Sequence, residues 1–123
     1  MKTFAALSLV LALAGAPLVA VAQTPPPPPP AEAKSQAMPY VMAAGQSDLY
    51  EINSSQVALQ KSQNPAVRRF AAMLIKHHQM TTAATMAAAQ KAGLNPTPPT
   101  LDPGATASIA ELQNASPADF DRL

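Results

Sequence analysis

The sequence predicts an all-α fold, and three observations support this class. Two long segments, Pro39 to Ser62 and Pro65 to Ala92, repeat small and apolar residues at steps of three and four, the α-helical period. Only Gln63 and Asn64 separate them, and so short a connection favours antiparallel packing. No segment combines β alternation with hairpin turn chemistry. We therefore expect a long antiparallel helical hairpin followed by a short third helix.

The first 22 residues have the composition of a secretory signal peptide. Lys2 supplies the positive charge, residues 4–14 are apolar, and Ala20-Val21-Ala22 resembles a cleavage site. The apolar run is shorter than the ~20 residues of a membrane span. We predict cleavage before Gln23, export to a bacterial periplasm, and no transmembrane segment in the mature chain. The sequence contains no cysteine, which excludes disulfides and an acylated-cysteine anchor.

Residues 23–37 are predicted to be a proline-rich, disordered linker. The run from Pro25 to Pro30 favours an extended polyproline conformation without internal hydrogen bonds. A stiff spacer is one interpretation, and a ligand for a proline-binding module is the other. The helical domain is then expected to cover residues 38–123.

Each long helix carries one inward stripe. The first predicted stripe contains Val41, Ala44, Asp48, Glu51, Ile52, Ser55, Ala58, Leu59 and Ser62. The second contains Val67, Phe70, Ala71, Leu74, His78, Thr81, Thr85, Ala88 and Ala92.

Capping signals define where helices begin and end. Asn64 and Pro65 predict the start of the second helix, and Gly93 predicts its end. A third helix is expected over Ala105 to Ala115. The signal Ser116-Pro117 would start another helix, but too few residues follow for a helix to nucleate well.

Glu51 and His78 are the candidate site residues. At 1.5 Å per residue they lie about 19 and 22 Å from the turn, so they are nearly level across the hairpin. A carboxylate and an imidazole that face each other in a bundle are typical of transition-metal sites. Two ligands are too few to hold a metal, and the Glu-x-x-His pattern is absent. The alternative is a buried pair that fixes helix register.

Two further groups of residues allow a structural and a functional interpretation. Met73, Met80 and Met86 are interpreted as core-filling side chains, with copper(I) binding as the alternative. The basic cluster near the turn, Lys61, Arg68, Arg69 and Lys76, is interpreted as a solvated end of the hairpin, with an anion site as the alternative. The whole chain has 8 basic and 7 acidic residues, which nearly cancel. We therefore predict no nucleic-acid binding.

Several short motifs occur together in this chain, namely Ser47-Asp48-Leu49-Tyr50-Glu51-Ile52, Asn64-Pro65-Ala66-Val67, Phe70-Ala71, His77-His78, Gly93-Leu94 and Phe120-Asp121. Together they resemble a bacterial family designated domain of unknown function four-one-four-two, whose members are often labelled as outer membrane proteins.

The resemblance implies an exported, ferritin-like four-helix bundle with Glu51 and His78 facing its interior. It also implies that the C-terminal half of the bundle is missing here, because family members continue with further helices.

Three functions follow from these expectations. The first is a periplasmic, non-enzymatic helical protein, stress-related by family association and located near the outer membrane. The second is a metal-binding protein that uses Glu51 and His78 with ligands from the missing half. The third is an interaction module that completes its bundle by self-association or with a partner chain.

Overall fold

A computed structural model describes residues 27–123, so the predicted signal peptide and the start of the predicted linker lie outside the described residues. The described residues form helices and no strand, which confirms the all-α class. A 3-10 helix covers Ala31–Lys34. The α-helices are α1 (Ala37–Lys61), α2 (Pro65–Lys91), α3 (Pro103–Asn114) and α4 (Pro117–Phe120).

The predicted capping signals of α2 are confirmed. The Asn64 side chain accepts a hydrogen bond from the Ala66 amide at 2.9 Å, and Pro65 is the first helical residue. At the other end Gly93 takes a left-handed conformation with φ 74°. The Leu94 amide then donates to the Ala89 carbonyl at 2.9 Å, which closes the helix with a Schellman-type bond.

Two helix starts differ from the prediction. The third helix begins at Pro103, two residues early, because Asp102 caps it by accepting from the Ala105 amide at 3.0 Å. The signal at Ser116 starts a real helix of one turn, α4. Burial of Phe120, which is 7% exposed, provides the tertiary support that a single turn lacks by itself.

The apolar core lies on the side of α1 that faces α3 and α4. It consists of Val57, Ile109, Leu112 and Phe120, with Tyr50 and Leu101 packed around it. Val57 is outside the predicted stripe of α1. That helix buries two sides, one against α2 and another against α3 and α4, so a single-stripe prediction missed half of its packing.

The α2–α3 loop crosses close to α1 at Gly45. A Cβ atom built on Gly45 would lie 3.1 Å from Cβ of Pro99. The glycine costs helix propensity of about 1 kcal/mol, and the structure gives its reason, because a side chain here would crowd the loop.

The inward stripe of α2 is rotated relative to the prediction. Ala71 and Ala89 are buried, and Thr82 rather than Thr81 is half-buried, while Phe70 is 57% exposed. The predicted inward position of Phe70 is therefore wrong. The interpretation of Met73 and Met80 as core-filling residues is also wrong, because they are 42% and 59% exposed.

Candidate functional site

A polar network joins the middle of α1 to the middle of α2. Nδ1 of His78 lies 2.7 Å from Oδ1 of Asp48, within a largely buried contact. The hydroxyl groups of Thr81 and Thr82 donate to Oδ2 of the same carboxylate at 2.9 and 2.8 Å. Asp48 thus accepts hydrogen bonds from three side chains of the neighbouring helix.

The network sets the orientation of the imidazole. An ionised carboxylate can only accept hydrogen bonds, so it favours the His78 tautomer with the proton on Nδ1. The other ring nitrogen then carries the lone pair. The same arrangement fixes the register of two helices whose buried interface side chains are otherwise small, such as Ser55, Ala71 and Ala89.

The carboxylate that faces His78 is Asp48 and not Glu51, so the predicted pairing of Glu51 with His78 is wrong. The reason is register. Measured from the turn centre at 1.5 Å per residue, Asp48 lies at about 23 Å, His78 at about 22 Å and Glu51 at about 19 Å. Asp48 is the better level match, and this signal was available in the sequence.

Glu51 lies instead along a groove on another side of α1. Proline residues 27–30, the 3-10 helix and α1 form this groove of about 980 Å³. Lys34, Tyr40, Tyr50 and Asp102 also line it. Within residues 27–123 no group of three or more Asp, Glu or His side chains could hold a metal ion. A metal site that includes Glu51 and His78 stays a prediction.

The most unusual surface of the described residues is the side of α2 that points away from α1, here called the outer face of α2. Its members are exposed and lie three or four residues apart, namely Ala66, Phe70, Met73, His77, Met80 and Ala84. Among the helices described, α2 packs extensively only against α1. The outer face therefore presents three large apolar side chains to solvent.

The charges around this face have one sign. The α2 sequence contains Arg68, Arg69, Lys76 and Lys91 and no acidic residue. At 100° per residue, Arg69 and Lys76 fall on one border of the outer face, beside Met73 and Met80. The composition of this surface can be read from the sequence, but its exposure depends on the rotation of α2 against α1. None of the helices within residues 27–123 has the length and apolar character to cross a membrane.

Comparison with known proteins gives one match. A family model described as a domain of unknown function, DUF4142, matches residues 22–123. No curated protein and no solved structure matches the chain.

Proposed function

The chain belongs to the DUF4142 family, and from its structure we propose that it is an exported helical interaction module that binds another helix rather than catalysing a reaction. The observation that carries this proposal is the outer face of α2. Phe70, Met73 and Met80 are 57%, 42% and 59% exposed on one side of a helix. Large apolar side chains grouped on one helix face are typical of surfaces that bind a partner.

Covering the apolar surface that remains exposed at this face would favour binding. Full burial of a Phe or Met side chain stabilises by about 1.5–3 kcal/mol. Three such side chains, with the small Ala66 and Ala84 allowing close approach, provide a central cluster of the kind that dominates helix–helix recognition. A helix placed here would also add a layer to the two-helix packing of α1 and α2.

Charge favours a partner helix with acidic side chains beside its apolar stripe. Arg69 and Lys76 border the outer face, and α2 contributes no acid that could pair with them. In an antiparallel symmetric pair of two copies, the same border of each α2 would meet, so these cations would face each other. An acidic helix pairs with them instead, which favours association and selects the partner.

The polar network supports a role in assembly rather than in catalysis. Both carboxylate oxygens of Asp48 are engaged by side chains of α2, at distances between 2.7 and 2.9 Å. Such a saturated network holds a helix pair in one register, and so presents the outer face in a fixed orientation.

The test uses two synthetic amphipathic helical peptides as probes, with the same Leu and Ala stripe and flanking Glu in one or Lys in the other. We expect the mature protein to bind the Glu peptide and the variant Phe70→Ser to bind it at least about tenfold more weakly. Tyr40→Ser is the matched control, because Tyr40 is 59% exposed and lies on α1. Binding should be measured by fluorescence anisotropy.

Two outcomes would overturn the proposal. The first is equal binding of the Glu and Lys peptides, or equal binding by the Phe70→Ser variant. The second is a dimer of the protein alone, seen by sedimentation and lost in Phe70→Ser, which would assign the face to a second copy.

Export is tested separately. The proposal expects material recovered from the periplasm to begin at Gln23, because Ala20-Val21-Ala22 supplies a small-residue cleavage site. Intact-mass measurement distinguishes this product from the full chain. A mass that still includes residues 1–22 would contradict it.

A further inference from the structure

We propose that Met73, His77 and Met80 form a binding site for a soft monovalent metal ion, Cu(I) or its redox-inert analogue Ag(I), on the outer face of α2. The inference goes beyond the proposed function, because it assigns a ligand to side chains that the helix-binding proposal uses only as apolar surface.

The spacing brings the three donors together. Met73 and His77 are four residues apart, and His77 and Met80 are three apart, the two separations at which helix side chains are neighbours. At 100° per residue the three positions span an arc of about 60°. The imidazole lies between two long, flexible thioether side chains that can both reach an ion bound at its ring.

Within the described residues these three side chains neither fill the core nor make a polar contact. Met73 and Met80 are 42% and 59% exposed, so their sulfur atoms are not used to fill the core. The His77 side chain is exposed, and its imidazole makes no hydrogen bond or ion pair with the described residues. The neighbouring His78 differs, because its Nδ1 lies 2.7 Å from Oδ1 of Asp48, on the side of the helix that faces α1.

The donor set and the local charge select the kind of ion. Thioether and imidazole ligands favour Cu(I) over hard cations, which need carboxylate or carbonyl oxygens. The α2 helix has no acidic residue, and the cations Arg69 and Lys76 are nearby. A divalent ion would be repelled more strongly than a monovalent one, and neutral ligands leave the bound ion with its single charge.

The first experiment is an Ag(I) titration of the mature protein with ¹³C-labelled methionine methyl groups, followed by NMR. The mature chain carries Met38, Met42, Met73, Met80 and Met86. We expect saturable shifts for Met73, Met80 and the His77 ring, with smaller changes at the other three methionines. Met86 is a good internal control, since it lines a small cavity beside Val41 and Met42. Equal shifts at all five methionines would overturn the site.

The second experiment measures Cu(I) affinity by competition with a chromophoric chelator. The double variant Met73→Leu/Met80→Leu should lose affinity by at least about tenfold, while Met86→Leu should not. His77→Gln should behave like the double variant, and His78→Gln should not. Unchanged Cu(I) affinity in both His77→Gln and the double variant would refute the assignment.

The same variants separate this inference from the helix-binding proposal. Leucine keeps the apolar surface and removes sulfur, so the double variant should lose Cu(I) and still bind the Glu peptide. Phe70→Ser keeps all three metal ligands, so it should lose the peptide and still bind Cu(I). Metal binding retained in the first variant therefore overturns the metal site alone, and peptide binding retained in the second overturns only the docking proposal.

Discussion

The two buried sides of α1 are stabilised by different kinds of interaction. Toward α3 and α4, the side chains of Val57, Ile109, Leu112 and Phe120 form an apolar cluster. Toward α2, the fully buried residues are small, and the specific contact is the carboxylate of Asp48 with three donors. The largest buried side chains lie in the first interface, whereas the second is centred on hydrogen bonds to one carboxylate.

The two interfaces differ in how closely they determine the relative positions of their helices. An apolar cluster tolerates small shifts, because its burial energy depends on area rather than direction. A carboxylate that accepts three hydrogen bonds tolerates almost no shift, because each bond depends on direction as well as distance. Small alanine side chains specify the relative axial position of two helices only weakly, so the α1–α2 register depends on the Asp48 network. The apolar side of α1 contributes more to the free energy of folding. The polar side contributes more to selecting a single register between α1 and α2.

The largest expected effect is on the apolar side. Phe120→Ala should lower the free energy of unfolding by about 3–4 kcal/mol, because it removes the largest side chain of the cluster and the anchor of α4. Chemical denaturation followed by circular dichroism measures it. Leu123→Ala is the control, since Leu123 is 40% exposed and should change stability by less than about 0.5 kcal/mol. Similar losses in both variants would contradict the assignment of Phe120 to the core.

The next effect is on the polar side. Asp48→Ala should cost about 2–3 kcal/mol, because it leaves His78, Thr81 and Thr82 without their shared acceptor. Glu51→Ala, one turn away, should stay within about 0.5 kcal/mol, since its carboxylate lies along the groove. Thermal unfolding of both variants compares the two carboxylates directly. A larger loss for Glu51→Ala would contradict the α1–α2 register in which Asp48 faces His78.

A smaller effect is expected for the histidines. His78→Ala should cost about 1–2 kcal/mol, because it removes one of three donors to a mostly buried carboxylate. His77→Ala should cost less than about 0.5 kcal/mol, because His77 is exposed. The pair differs by one position along α2, so equal losses in denaturant titrations would argue against the observed rotation of that helix.

The smallest effect concerns the surface of α4 and depends on pH. The hydrogen bond from Ser116, together with Arg122, lowers the pKa of Asp119 below its usual value of 3.8. A lowered folded-state pKa stabilises the fold above the unfolded value, and this contribution disappears as pH falls through the folded value.

The protection of the α4 amides against hydrogen exchange, relative to the intrinsic exchange rate at each pH, should therefore fall below about pH 4. In Asp119→Asn this change should be absent. A pH response that persists in the variant would assign it to another group.

Much of the fold follows from local sequence signals. Asn64, Pro65 and Gly93 mark the limits of α2 because capping depends on nearby residues. The second buried side of α1 and the existence of α4 were not predictable in the same way. Both depend on contacts between residues far apart in the chain, such as Val57 with Phe120.

The candidate site shows a similar division. Periodicity correctly identified His78 as an inward residue of α2. Its partner was predicted from distances to the hairpin turn, and Glu51 was chosen although its distance matches that of His78 only approximately. The exposure of Phe70, Met73 and Met80 could not be predicted, because it is set by a rotation of α2 of less than one residue. Small-residue interfaces leave such a rotation poorly determined by periodicity alone.

Asp121 gives the hairpin turn an unusual dependence on a distant part of the chain. Its carboxylate accepts from the amides of Gln63 and Asn64 at 3.1 and 3.2 Å, and from the Ser62 hydroxyl. These two amides lie in the turn between α1 and α2. Asp121 therefore couples the turn to α4 in addition to the buried Phe120, and the exchange rates of two turn amides report how often α4 undocks from the rest of the protein.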